Sequence, residues 1–151
     1  MPSAEQVAAI FKPFADGNMG TFFDSIDDDV LWTVKGMQAA KYEDSCTNLP
    51  TGTFCPIANT YHSKKAFQDG TKPLTSTWAT PLKLVVRNII SDGQNQAAIE
   101  LEAVDTVCKN GLKFTNFYTW ICTFGENGKI VKINAYMDTE LVSKAIATNP
   151  A

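Results

Sequence analysis

A chain of 151 residues, 44% hydrophobic and 19% charged, carries enough apolar side chain for a substantial core and reads as a single domain over 1–151. Its net charge is −3 and its 13 Lys and Arg are scattered, which leaves no basic stripe for nucleic acid. No apolar run approaches the ~20 residues of a membrane span. The start MPSAEQVAAIF lacks a basic segment leading into an apolar block, and four cysteines without a CxxC pair beside a single histidine argue against a structural zinc site. The expectation is a cytoplasmic protein that needs no metal and no cofactor.

In chain order, Ser3 with Gln6 three residues on makes a capping-box pattern. Val7, Ile10, Phe11 and Phe14 then recur at helical spacing until Pro13 ends or bends the helix. Asn18 caps a second helix carrying Met19, Phe22, Phe23 and Ile26. The acids Asp27, Asp28 and Asp29 read as a solvated helix-to-strand turn rather than a metal site, since no further ligands converge in sequence. Val30 to Lys35 reads as a strand with Trp32 and Val34 on one face. From Gly36 to Asn59 periodicity disappears, and a loop this long in a compact domain suggests a functional lid over 38–58. Cys46 and Cys55 lie within it, near enough in sequence to bridge, although nothing else points to an oxidising compartment.

Ser63 caps a further helix through Ala66 and Phe67 towards Trp78, interrupted by Gly70 and Pro73. Two strands follow, Leu82 to Ile90 and Ala97 to Val107, with Asp92-Gly93 and Asn110-Gly111 as turns. The longest β signal is the hairpin KFTNFYTWICTF, GENG, KIVKINAYMD. Alternation puts Asn116, Tyr118, Trp120 and Cys122 on one face and Phe117, Thr119, Ile121 and Thr123 on the other. In the second arm Val131, Ile133, Ala135 and Met137 form the apolar face, against Lys132, Asn134 and Tyr136. Asp138 caps a final short helix, Leu141 to Ile146. The order is that of an α+β chain: a curved, mostly antiparallel sheet with helices packed on its concave face.

The segments DDDVLWTVKG, TYHSKKAF and NFYTWICTF…GKIVKINAYMDTELV, in this order, resemble the nuclear transport factor 2-like superfamily, and within it the SnoaL-like and ketosteroid-isomerase-related proteins. The resemblance covers the chain except for the region around 38–58. It implies a cone with an apolar cavity at its wide end and, in many relatives, a dimer through the outer sheet face. Phe117 and Ile121 on that face agree with a homodimer. It does not bring a mechanism. The carboxylate and oxyanion positions of the ketosteroid isomerases fall at Val34, Ile10 and Trp120. Limonene epoxide hydrolase resembles the segment Glu102-Ala103-Val104-Asp105, but the Arg position is Ala103 and its second Asp falls at Ala135. The hairpin Glu of the phenazine-pathway relatives also falls at Ala135.

The remaining polar candidates for the cavity are Asp105, Asn116, Tyr118, Tyr61 and His62. Asp105 on an otherwise apolar strand would be desolvated and suited to acid–base work with His62; alternatively it sits solvated at the strand's rim, and His62 lies on the surface beside the Ser63 cap. Trp32, Tyr118 and Trp120, with Tyr61, read as an aromatic floor for a flat ligand, or as plain core. Three functions follow: a proton-transfer enzyme (isomerase, dehydratase or cyclase type) on an apolar polyketide- or terpenoid-like metabolite, a small-molecule binding domain, or a dimerisation module with a filled cone. A cavity containing Asp105 or His62 favours the first, an open apolar cavity the second, and a closed one the third.

Overall fold

The computed structural model describes residues 2–38 and 54–149. The Cys46–Cys55 bridge therefore lies outside the described residues, because Cys46 does, and so does most of the lid expected over 38–58. No helix among the described residues is long and apolar enough to cross a membrane.

Helix α1 (Ala4–Ala15) starts as the capping pattern requires: Ser3 Oγ accepts from the Gln6 N–H at 3.2 Å, and Gln6 Oε1 accepts from the Ser3 N–H at 2.7 Å. It runs on past Pro13, burying Val7, Phe11 and Phe14. Asn18 caps α2 (Met19–Phe23). Strand β1 (Ile26–Val34) begins earlier than its composition suggests. The three acids belong to the strand, where the register against β6 (Ile130–Met137) shifts between Ile26 and Leu31 and carries them outwards. Asp28 is not merely solvated there: Lys64 Nζ reaches its Oδ1 at 2.8 Å and also donates to the carbonyls of Phe23 and Ile26, tying the next helix to the start of the strand.

A short strand β2 (Asn59–Tyr61) pairs antiparallel with β1. The helix expected from Ser63 to Trp78 is two helices, α3 (Lys64–Gly70) and α4 (Lys72–Thr75). Pro73 cannot donate an amide hydrogen, so it opens a new helix after Thr71 instead of continuing the old one. Gly70 is required at the junction, because a Cβ there would enter the Tyr61 ring. Strands β3 (Lys83–Ser91), β4 (Gln96–Val104) and β5 (Phe117–Phe124) complete the sheet, and α5 (Thr139–Thr148) closes the described chain from its Asp138 cap.

The six strands form one curved sheet in the order β2-β1-β6-β5-β4-β3, antiparallel throughout except for β1 against β6. The hairpin β5–β6 is central, as its composition implies. Its first arm keeps the expected faces, with Tyr118, Trp120 and Cys122 buried and Phe117 exposed. The second arm differs in one place. A register shift between Thr123 and Phe124 turns Ile130 into the core in place of Val131, which is only half-buried, while Ile133 and Ala135 keep their places. Helix α1 packs against β3 and α3 against β1, so the helices and the buried strand faces enclose a common core.

Candidate functional site

Within that core the helices do not fill all of the space against the sheet. A cavity of about 280 Å³ remains, bounded by Phe14 of α1, Met19 and Phe23 of α2, Trp32 and Val34 of β1, Tyr118 and Trp120 of β5, and Ala135 and Met137 of β6. Ile57, Phe67, Leu74, Trp78 and Leu82 close the far side. This volume lies near the lower end of the range for small-molecule sites, roughly 300–1,000 Å³.

The walls are an aromatic lattice. Trp32 stacks on Phe67 with centroids 3.5 Å apart and planes 6° from parallel. Trp120 stands edge-on to Trp32 at 5.4 Å and 75°, and Tyr118 edge-on to Trp120 at 6.1 Å and 79°. Strand alternation produces this convergence: Trp32, Tyr118 and Trp120 all take inward positions, and the register sets Trp32 opposite Ile133 and Trp120 opposite Ala135. Three expected ligand-facing residues are thus together in the cavity wall.

Tyr61 and Asn116 stand behind that wall. Tyr61 is buried, donates its hydroxyl hydrogen to the Ile57 carbonyl at 2.8 Å, and packs edge-on against Phe67. Asn116 is fully buried; its Oδ1 accepts from the Asp138 N–H at 3.1 Å and its carbonyl accepts from the Ala103 N–H at 2.8 Å. Its first role is therefore to join the end of β4 to the start of α5. Its Nδ2 has no bonding partner, yet lies near enough to the Tyr118 hydroxyl to oppose part of the effect of burial, which pushes the Tyr118 pKa well up. Tyr118 therefore stays neutral at physiological pH, a hydrogen-bonding group rather than a phenolate.

Asp105 and His62 do not meet in the cavity, and neither lines it. By parity Asp105 would follow Leu101 and Ala103 inward. However, β4 ends at Val104 and Asp105 adopts φ 50°, which turns its side chain to solvent while Thr80 Oγ1 donates to its carbonyl at 3.3 Å. His62 follows Tyr61, whose side chain points inward, so alternation sends the imidazole outward, and it is exposed. Four interstrand steps of ~4.8 Å separate their strands, roughly 19 Å along the sheet. The proton-transfer couple expected from composition is not assembled.

No lining residue among those described is a carboxylate or an imidazole. Val34, Trp120 and Ala135, three of the positions where the resemblance would set chemical groups, do line the cavity, as residues that exchange no proton. Among the described residues no cluster of His, Cys, Asp or Glu could hold a metal ion. Sequence reasoning missed the contribution of Gln68, Thr71, Lys72 and Thr75, which border the cavity from α3 and α4. Their signal was the Gly70 and Pro73 interruption, which breaks one long helix into two that turn over the cavity.

No model of a known protein family matches the chain, and no curated protein matches it in sequence. Solved structures do. An NTF2-like protein of unknown function from Burkholderia pseudomallei is 17% identical over 96% of this chain and 95% of that one, with a TM-score of 0.61. TerC, co-crystallised with polyporic acid, is 15% identical over 95% and 97%, with a TM-score of 0.64. A protein from Catenulispora acidiphila with a ketosteroid isomerase-like fold, solved with trimethylamine, is 10% identical over 89% and 86%, with a TM-score of 0.59.

Proposed function

We propose, for a chain whose fold is the nuclear transport factor 2-like fold, that it binds a flat, largely apolar small molecule, of polyketide- or terpenoid-like build, in the aromatic cavity. One observation carries this reading: all three tryptophans of the chain, with Tyr118 and Phe67, border one cavity whose described lining lacks any carboxylate or imidazole. Burial of aromatic rings supplies affinity there, and the described lining holds no carboxylate or imidazole to serve as a general base. That TerC, similar in fold, was co-crystallised with polyporic acid supports a ligand-holding use of the fold. Because every tryptophan is a wall residue, ligand entry should change intrinsic fluorescence directly. Titration with a panel of polycyclic ketones and lactones, together with native mass measurement of the freshly purified protein, tests the reading. Saturable quenching or a retained mass supports it; the absence of both removes it.

A second reading is catalysis by hydrogen bonding alone, favoured by the neutral Tyr118 hydroxyl in the cavity wall, with the Asn116 amide behind it. Such a donor stabilises an oxyanion that forms on a substrate whose proton leaves to water or within the substrate itself. Tyr118→Phe would then lower turnover while leaving ligand quenching in place, whereas equal turnover sets this reading aside.

Two further proposals concern the setting of the molecule. The outer sheet face leaves Phe117 62%, Ile90 60% and Tyr136 46% exposed, which supports a homodimer across that face. The buried, unbridged thiols of Cys108 and Cys122 support a reducing, cytoplasmic location.

A further inference from the structure

The cavity is chemically lopsided. Apart from Tyr118 and the indoles, its polar lining comes from one short segment: Gln68, Thr71, Lys72 and Thr75. Thr71 Oγ1 is committed to the Phe67 carbonyl at 2.8 Å, and Thr75 Oγ1 lies 3.4 Å from the Lys72 carbonyl. Gln68 and Lys72 are exposed as well as lining, so the cavity meets solvent here. Lys72 is the one charged residue in the described lining. Its Nζ lies 3.0 Å from Asp69 Oδ1, with the side chain still 72% exposed. The other oxygen of Asp69 takes Lys65 Nζ at 2.5 Å. Two ammonium groups therefore share one carboxylate, and this rim holds a surplus positive charge on a chain of net charge −3.

The walls are one-sided in the same sense. The indole N–H groups of Trp32, Trp78 and Trp120 are buried and have no acceptor among the described residues. The edge-on contact of Trp32 with Trp120 can offer a ring face to only one of that pair. The charge offered at the rim is positive, and no carboxylate in the described lining would receive a ligand cation.

We infer that the cavity selects an acidic aromatic ligand, with its rings among Trp32, Phe67 and Trp120 and its carboxylate or comparable acidic oxygen at the α3–α4 rim against Lys72. This rests on the small-molecule reading above and adds the charge of the ligand and the residue that selects it. A carboxylate at the rim takes a lysine donor that Asp69 now shares; an uncharged isostere leaves Lys72 hydrated, and a cation is repelled.

The test uses anthraquinone carboxylate and its carboxamide, which match in shape and differ in charge, titrated by tryptophan quenching. The wild-type protein should bind the carboxylate about fivefold more tightly, the range of one partly exposed ion pair. The preference should shrink as salt rises. Lys72→Met keeps the length of the side chain; it should abolish the preference, bringing the ratio of the two affinities close to one, and Lys12→Met, outside the cavity lining, should preserve it. Equal binding of the two probes by the wild type, or an unchanged ratio in Lys72→Met, overturns the inference and leaves the apolar-cavity reading standing. Quenching by neither probe overturns both.

Discussion

Trp120 is the place to test the architecture of the cavity, because it is the hub of the aromatic lattice. Its ring lies 6.0–6.1 Å from Phe11, Phe14, Phe22 and Tyr118 and 5.4 Å from Trp32. Truncating a buried tryptophan to alanine typically costs ~3–5 kcal/mol through lost transfer energy and the void left behind. One term acts the other way here. The Trp120 indole N–H is buried without a partner, and removing such a donor returns about 1–3 kcal/mol. The expected net loss for Trp120→Ala is therefore centred on ~2 kcal/mol, within a span of ~0–4 kcal/mol. Trp120→Phe keeps most of the packing, at a cost of about 1 kcal/mol for the smaller ring, and also removes the orphan donor, so it should fall within ~1 kcal/mol of wild type or exceed it. Urea unfolding followed by far-ultraviolet circular dichroism reads both. With a slope of ~2 kcal/mol/M, the alanine variant should lose about 1 M in midpoint and the phenylalanine variant almost nothing. A phenylalanine variant as unstable as the alanine one would show that the N–H has a partner, and the account of a buried, unpartnered indole donor would fail with it.

The remaining predictions are simpler. Asp105→Gly should stabilise by ~0.5–1 kcal/mol, since glycine adopts φ 50° without the steric cost an L side chain meets there, and it should leave ligand quenching unchanged; a destabilised variant would show that the carboxylate makes a needed contact. Burial raises the pKa of both Tyr118 and Cys122, so each binds its proton more tightly folded than unfolded. Their contribution is complete below about pH 9 and is lost as pH rises, first for the thiol and then above about pH 10 for the phenol, by at most ~1.4 kcal/mol per pH unit for each. Stability measured from pH 7 to 11 should bend downward accordingly, and Tyr118→Phe should flatten its share; an unbent curve in wild type refutes the burial argument. Sedimentation at tens of micromolar should give a dimer that Phe117→Asp converts to monomer, and a wild-type monomer at that concentration removes the outer-face proposal.

Local rules made most of the fold legible. The alternation Phe117, Tyr118, Thr119, Trp120 named both faces of β5, and the Ser3–Gln6, Asn18, Ser63 and Asp138 caps marked helix starts that the structure contains. Errors arose where one backbone irregularity reverses a parity count. A register shift exchanged Val131 for Ile130, and a single left-handed residue decided Asp105 for the solvated rim, the alternative to the inward reading. Neither a bulge nor a positive φ at an aspartate changes hydrophobic periodicity, so neither leaves a pattern to read. For His62 the missing step was the pairing of β2 with β1, since a strand as short as Asn59–Tyr61 has too little alternation to declare its faces. The cavity's aromatic wall was legible because tryptophan is large and its strand positions were known. Its polar rim was not, because the placement of Gln68 and Lys72 depends on how two very short helices turn at Thr71.

The parallel pairing of β1 with β6 bears on how the molecule is made. Antiparallel β3, β4 and β5 need only neighbouring chain, and can zip together while synthesis continues at ~5–20 residues per second. Strand β1 has to wait. Apart from the short β2 its only partner among the described strands is β6, and Ile26 finds Ile130 far along the chain. Until β6 leaves the ribosome, Trp32 and Val34 have no sheet to join and their apolar face stands open to water and to other nascent chains. The long loop closure comes last and makes folding slow for a chain of this size. Damage to β6 should therefore show first as loss of soluble protein during synthesis, before any effect on ligand binding can be measured.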